Sequence, residues 1–270
     1  MLNLARLAAI SAGVQILRHY DDYEISYKSD NSPVTSADLS ANEAILSTLS
    51  QSKIPICSEE SLLSLDELVN LERFWLVDPL DGTKDFICKT GEFCVCIALI
   101  EHGRPILAVI YAPKFDEMYY SDGHGLYGGS AKNPTQISSC KAQNILMHGS
   151  HSGISPFKKT LISRFNLRAQ KLGSALKYCK IALGEASLSV GSAKMSLWDA
   201  AAGDFLLCQS GGKVIDLLTK KAPLYNGKDG FKMHPTLAVN QDSISKIDEI
   251  CKIYSKNLPN HYVLLFGQYK

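Results

Sequence analysis

Three short clusters of acidic residues each sit at the edge of an apolar run, and together they are where this sequence could do chemistry. The first is Glu59-Glu60, after "IPICS"; the second is Asp78 and Asp81 in "WLVDPLDGT"; the third is Asp199 in "SLWDAAAGD". A carboxylate at the end of a buried strand is costly unless positive charge lies among the acids. Pro79 cannot donate a backbone hydrogen bond, so the strand must break where the acids begin. Gly82 permits a tight bend, and Asp81-Gly82-Thr83 can open a helix whose N-terminus receives an anion. Acidic oxygens beside an anion-receiving turn suit a magnesium-dependent phosphate site, because Mg²⁺ prefers carboxylate, carbonyl and phosphate oxygens. A helix cap with surface acids explains any one cluster alone; three such clusters are harder to explain that way.

These motifs, in this order, resemble the lithium-sensitive, magnesium-dependent phosphatases of the inositol monophosphatase superfamily. That pattern is a Glu-Glu pair, then D-P-[LI]-D-G-[TS], then a distant W-D; here it reads Glu59-Glu60, "DPLDGT" at 78–83 and Trp198-Asp199. "SPVTSAD" and the run "GEFCVCIALIEHGRPILAVIYAP" also look like family segments, so the resemblance covers nearly the whole chain. Within the superfamily, "DPLDGTKDFI" followed by "GEF", and "GSALKYC" at 173–179, are most similar to the bacterial 3'(2'),5'-bisphosphate nucleotidases.

The resemblance implies roles. Glu59, Asp78 and the carbonyl of Leu80 would hold one magnesium ion, and Asp78, Asp81 and Asp199 a second. Glu60 would meet a third, loosely held ion through water. The N–H groups of Gly82 and Thr83 would bind phosphate, and the Thr83 hydroxyl, paired with Asp38, would orient the attacking water. Asp38 also reads as a helix N-cap. No Cys-x5-Arg or phospho-aspartate signature occurs, so hydrolysis by metal-activated water without a covalent intermediate is expected. His151, Ser174 and Lys177 fall where the nucleotidases meet the rest of the substrate. The plain alternatives are a loop histidine and a solvated helix lysine. One departure stands out: the Pro-Arg pair expected before W-D is absent from "SLSVGSAKMSLWD", which leaves Lys194 as a point charge where an arginine would make a bidentate contact. The expected reaction is therefore conversion of adenosine 3',5'-bisphosphate to AMP and phosphate, with an inositol or other sugar monophosphate as the alternative substrate. A non-catalytic scaffold would not need the intact acid set.

The elements that must carry these residues can be read in outline. The chain has 270 residues, net charge +1 and 46% hydrophobic residues, enough for a large core and without the basic surplus of a nucleic-acid binder. Eight scattered cysteines, with no C-x-x-C pair, fit a reducing cytosol better than a disulfide framework. The expected partner is a small phosphomonoester, with no nucleic acid polymer and no integral membrane association, for a monomer or homodimer. The expected location is the cytoplasm, which leaves room for peripheral contact with an inner membrane.

"MLNLARLAAISAGVQIL" predicts an amphipathic helix with Leu4, Leu7, Ala8, Ile10 and Val14 on its apolar face. "SDNSPVTSAD" marks a turn before a helix from about Ser36 or Asp38 to Leu49. A buried strand at "IPICSEES", a helix near 64–72 and a second strand at "FWLVDPLDGT" follow. An antiparallel meander is then predicted, with "GGSAKNPT" (128–135) as boundary. Beyond it, "NILMHGSH" and "KVIDL" predict strands, and "SPFKKTLISRF", "SALKYCKIALGEASL" and "LWDAAAGDFLLCQ" predict helices. The expectation is an α+β unit, 1–130, carrying most metal ligands, and an α/β unit, 131–270, carrying Asp199 and the substrate contacts. Together they would form the layered αβαβα sandwich of the sugar-phosphatase type.

Overall fold

The apolar runs of the first half become a seven-stranded sheet whose spatial order follows the chain: Ile56–Ser58, Arg73–Asp81, Cys94–Glu101, Arg104–Ala112, Glu117–Ser121, Tyr127–Ser130 and Thr135–Gln136. Only the first pair is parallel; the rest is the antiparallel meander predicted from the sequence. The computed structural model describes residues 1–138 and 141–257, so residues 139–140, Cys140 among them, and 258–270 lie outside the described residues. Residues 74–77 of the strand Arg73–Asp81 read as an unbroken apolar run because both faces are covered there. Phe74 and Leu76 pack on one side, and Trp75 and Val77 on the other.

A five-stranded sheet forms the second half, in the order Arg168–Lys171, Ile145–His148, Leu188–Val190, Thr236–Val239, Lys213–Asp216. Helices Leu2–Arg18 and Ser36–Leu49 cover the outer face of the first sheet, and Leu176–Ala182 and Leu197–Gln209 lie between the two sheets. Pro156–Phe165 and Ile247–Lys256 cover the far face of the second sheet. This is the expected αβαβα layering. The central helix Leu197–Gln209 is apolar nearly all round, as a helix packed between two sheets must be. No helix among the described residues is long and apolar enough to cross a membrane.

Several local expectations change. The first helix buries Ala5, Ala8, Ala9, Ala12, Gly13 and Ile16, while Leu7 and Val14 face solvent. Small residues win that face because the helix lies close against the sheet. A Cβ at Gly13 would stand 2.5 Å from Tyr111 Cε1 and 3.0 Å from the Pro113 Cβ. Overpacking of that kind costs about 1–3 kcal/mol, more than the roughly 0.5–1 kcal/mol that Ala gains over Gly in a helix.

The segment read as a turn before Ser36 supplies the second strand of a hairpin, Pro33–Thr35, which pairs with Ile25–Tyr27 and leaves Lys28 at the tip. "SALKYCKIALGEASL" is a shorter helix, Leu176–Ala182, that ends before Gly184 at positive φ and leads into the strand Leu188–Val190. The boundary segment 128–135 falls in the edge hairpin of the first sheet, where Tyr127 pairs with Gln136 and Gly128 with Thr135.

Candidate active site

Backbone geometry brings the acid clusters together. Glu59 directly follows the strand Ile56–Ser58, which runs parallel to Arg73–Asp81, and its N–H donates to the Val77 carbonyl at 3.0 Å. The ladder with Cys94–Glu101 is irregular between Asp78 and Asp81, where Pro79 removes a donor. The Leu80 N–H turns instead to Asp78 Oδ1, 3.0 Å away. Gly82 adopts φ 95°, and a Cβ there would stand 3.1 Å from the Glu92 carbonyl, so only glycine makes this bend without strain. The short helix Thr83–Ile87 follows as the Asp81-Gly82-Thr83 reading expects. Asp199 arrives from the central helix, where it closes a capping box and accepts the Ser196 N–H at 2.8 Å.

Carboxylate oxygens of Glu59, Asp78 and Asp199 lie within 4.8 Å of one another, and Asp81 stands beside Asp78 and Asp199. Burial, reinforced by the neighbouring carboxylates, pushes Asp199 up to about 8 and holds Asp78 well above the usual carboxylate range. Burial also raises Asp81 to about 6 against the opposing pull of Lys177. Among the described residues no lysine or arginine pairs with Asp78. The cation paired with the glutamates is Lys28, whose Nζ lies 2.7 Å from both Glu59 Oε1 and Glu60 Oε1. Burial alone would lower its pKa, but the two glutamates outweigh that and raise it. Burial in turn raises Glu60. A cluster of converging oxygen donors with one fully buried, unpaired carboxylate fits a small hard divalent cation such as Mg²⁺.

Thr83 Oγ1 donates to Asp38 Oδ1 at 2.9 Å and lies 3.3 Å from the Leu80 carbonyl. The N-cap of the helix Ser36–Leu49 is Thr35. Asp38 is the third helical residue, and its Oδ2 accepts from the Thr35 N–H at 2.7 Å and the Thr35 hydroxyl at 2.6 Å. Capping and the link to Thr83 therefore fall to opposite oxygens of one carboxylate. Burial raises Asp38, against the hydrogen bonds from Thr35 and Thr83.

Of the three residues expected to meet the rest of the substrate, Ser174 and Lys177 lie beside Asp81 and His151 does not. Ser174 has φ 52° and contacts the Gly82 position, and the following Ala175 N–H donates to Asp81 Oδ2. Lys177 donates to the Ser174 carbonyl while its charge faces Asp81. His151 is not among the acids. It stands 3.3 Å from Asp85, a buried carboxylate that also accepts from Ser150 at 2.8 Å. Here His151 helps line a cavity of about 480 Å³ with His148, Ser150, Ser152, Gly153, Ile154 and Lys171. Lys158 is partly buried beside His148 and Lys177, and burial and the Lys177 charge lower its pKa.

Lys194 is exposed and makes no ion pair or side-chain hydrogen bond among the described residues. The cation next to Asp199 is Lys232, which donates to the Ser196 hydroxyl at 2.9 Å. Sequence reading missed Lys28, Lys232 and the His148–Lys171 cavity. Lys28 directly precedes "SDNSPVTSAD", which was a usable signal. Lys232 comes from a loop with no local pattern.

The raised carboxylates set a sign for stability against pH. Folded metal-free protein keeps protons on Asp81 and Asp199 at pH values where the unfolded chain, near 3.8, has lost them. The contribution of these two groups to stability is then greatest at low pH and is lost as pH rises through about 6 and about 8. With chelator, Tm at pH 5.5 should exceed Tm at pH 8.5 by about 3 °C or more, the equivalent of about 1 kcal/mol, and Mg²⁺ should raise the alkaline value most. A Tm that rises with pH in chelator would contradict this.

The inositol monophosphatase family model matches residues 1–249. The chain is 39% identical over 222 residues to the 3'(2'),5'-bisphosphate nucleotidase CysQ of Buchnera aphidicola, covering 79% of this chain and 83% of that protein. It is 35% identical over 239 residues to the CysQ nucleotidase of Escherichia coli K12, covering 86% and 96%. The crystal structure of CysQ from Bacteroides thetaiotaomicron superposes with a TM-score of 0.77 at 30% identity, covering 89% of this chain and 97% of that one.

Proposed function

The chain belongs to the inositol monophosphatase family, and on that premise we propose that it is a 3'(2'),5'-bisphosphate nucleotidase, releasing phosphate from adenosine 3',5'-bisphosphate to leave AMP. The observation that carries the hydrolytic reading is the meeting of Glu59, Asp78, Asp81 and Asp199, from separate segments, beside the Thr83–Asp38 pair. The four carboxylates and the Leu80 carbonyl would hold two magnesium ions, and Glu60 would stand near a third. Bound there, magnesium supplies charge neutralisation at the phosphoryl oxygens and acidifies water.

This chain's own groups do the rest. The Asp38 carboxylate accepts the hydrogen bond donated by the Thr83 hydroxyl, so the Thr83 lone pairs face outward to accept a hydrogen bond from the attacking water. The N–H groups of Gly82 and Thr83 would offset charge on the transferring phosphoryl group. A bisphosphate also needs a second anion site. The cavity with His148, His151 and Lys171, with the Lys158 charge near His148 and the Lys177 charge near Lys158, supports that need where the expected arginine is absent.

Phosphate release should be measured from adenosine 3',5'-bisphosphate, 3'-AMP and inositol 1-phosphate. The bisphosphate is expected to have the highest kcat/KM. Lys177→Ala should raise KM for it by about tenfold or more and barely change KM for 3'-AMP, because only the bisphosphate loses a contact. Equal effects on both would remove Lys177 from the substrate site. A native preference for inositol 1-phosphate would replace the nucleotide reading with the sugar-phosphate one.

A further inference from the structure

Directly beneath the carboxylates, the strand Cys94–Glu101 begins with two cysteines that the phosphatase reading does not use. Cys94 and Cys96 share one face of the strand, opposite Asp81 and Asp78 respectively, and both are fully buried. Their sulfurs are 3.7 Å apart, and one oxygen of Asp81 lies within 4.8 Å of both. Two thiolates on one tetrahedral zinc ion, each at about 2.3 Å, are about 3.8 Å from each other, so this pair already has the spacing of a zinc dithiolate. Asp81 is only half-buried, whereas both sulfurs are enclosed.

We propose that Cys94, Cys96 and Asp81 form a second metal site, selective for a thiophilic divalent cation such as Zn²⁺ or Cd²⁺, which inhibits the enzyme by withdrawing Asp81 from the magnesium cluster. Binding converts two thiols to thiolates and releases their protons to solvent, leaving a fourth position for water. Softness separates the two sites: thiolates select zinc and cadmium, and the oxygen donors of Glu59, Asp78 and Asp199 select magnesium. Because Asp81 is shared, one metal weakens the hold on the other. The inference does not depend on which phosphomonoester is the substrate.

Cobalt is the probe, since Co²⁺ bound by thiolates shows an ultraviolet charge-transfer band that oxygen-only sites lack. Metal-free native protein titrated with Co²⁺ is expected to develop this band with a single equivalent, and Zn²⁺ should abolish it. Cys96→Ser should leave about half the intensity, and the double variant Cys94→Ser/Cys96→Ser none. With Mg²⁺ present, the double variant should need about tenfold or more Zn²⁺ for half-inhibition than the native protein does, as expected when ligands are lost. If the double variant does not fold, the native titration and Cys96→Ser decide. Absence of the band in native protein overturns the site, as does a band of unchanged intensity in Cys96→Ser. Equal zinc sensitivity of native and double variant would place inhibitory zinc on the carboxylates alone and would also overturn it.

Discussion

Asp199→Asn should lower kcat by about a thousandfold, roughly 4 kcal/mol of transition-state stabilisation, while the protein keeps its fold. The substitution removes a charge without removing the acceptor that Asp199 gives to the Ser196 N–H, so the start of the helix Leu197–Gln209 stays capped. Asp199→Ala would lose that cap as well, a cost of about 1 kcal/mol, and would mix folding with chemistry. Asp199 is pushed up to about 8 by burial and by Asp81, so removing its charge also relieves repulsion in the metal-free protein. In chelator at pH 8.5 the Asn variant should therefore melt at or above the native temperature. Added Mg²⁺ should raise its Tm less than that of native protein. Near-native turnover in Asp199→Asn would remove it from the metal-binding set.

Thr83→Val should reduce kcat by about a hundredfold or more with a much smaller change in KM, since the hydroxyl is proposed to act on the attacking water. Valine keeps the side-chain volume but leaves Asp38 Oδ1 without the donor it has at 2.9 Å. Thr83→Ser restores the hydroxyl and should recover most of the activity. Asp38→Asn is a sharper test. One amide oxygen can still serve Thr35, but the NH₂ then faces Thr83 and makes its hydroxyl accept rather than donate. The Thr83 proton would point toward the water, and kcat should fall as in Thr83→Val although the fold is kept. If Asp38→Asn is fully active, the polarity of this pair is irrelevant to catalysis and Asp38 is only a capping residue.

Both outcomes rest on residues that were visible before any coordinates. "DPLDGT" could be read for its chemistry because the constraints within it are local: proline ends a ladder, glycine makes the bend, and Asp78 and Asp81 lie three residues apart across them. The meander was equally plain, since its strands are covered on both faces or alternate in short order. The first helix was misjudged at Leu7 and Val14 because hydrophobicity does not report how closely two elements approach. Alanines and Gly13 fill that face since Tyr111 leaves no room for more. The edge strand Arg168–Lys171 carried no apolar signal because all four of its residues are exposed.

The sequence by itself determined the donor types, the break at Pro79, the bend at Gly82 and the order of the acid clusters, all consequences of covalent structure and near neighbours. Tertiary structure alone decided which charges meet. It brought Lys28 from a hairpin tip to Glu59 and Glu60, and Lys232 from a distant loop to Ser196. His151 was turned toward Asp85 rather than the acids, and the Cys94–Cys96 pair was set under Asp81. Long-range electrostatics depends on distances through space, which sheet register and helix packing set and residue order does not.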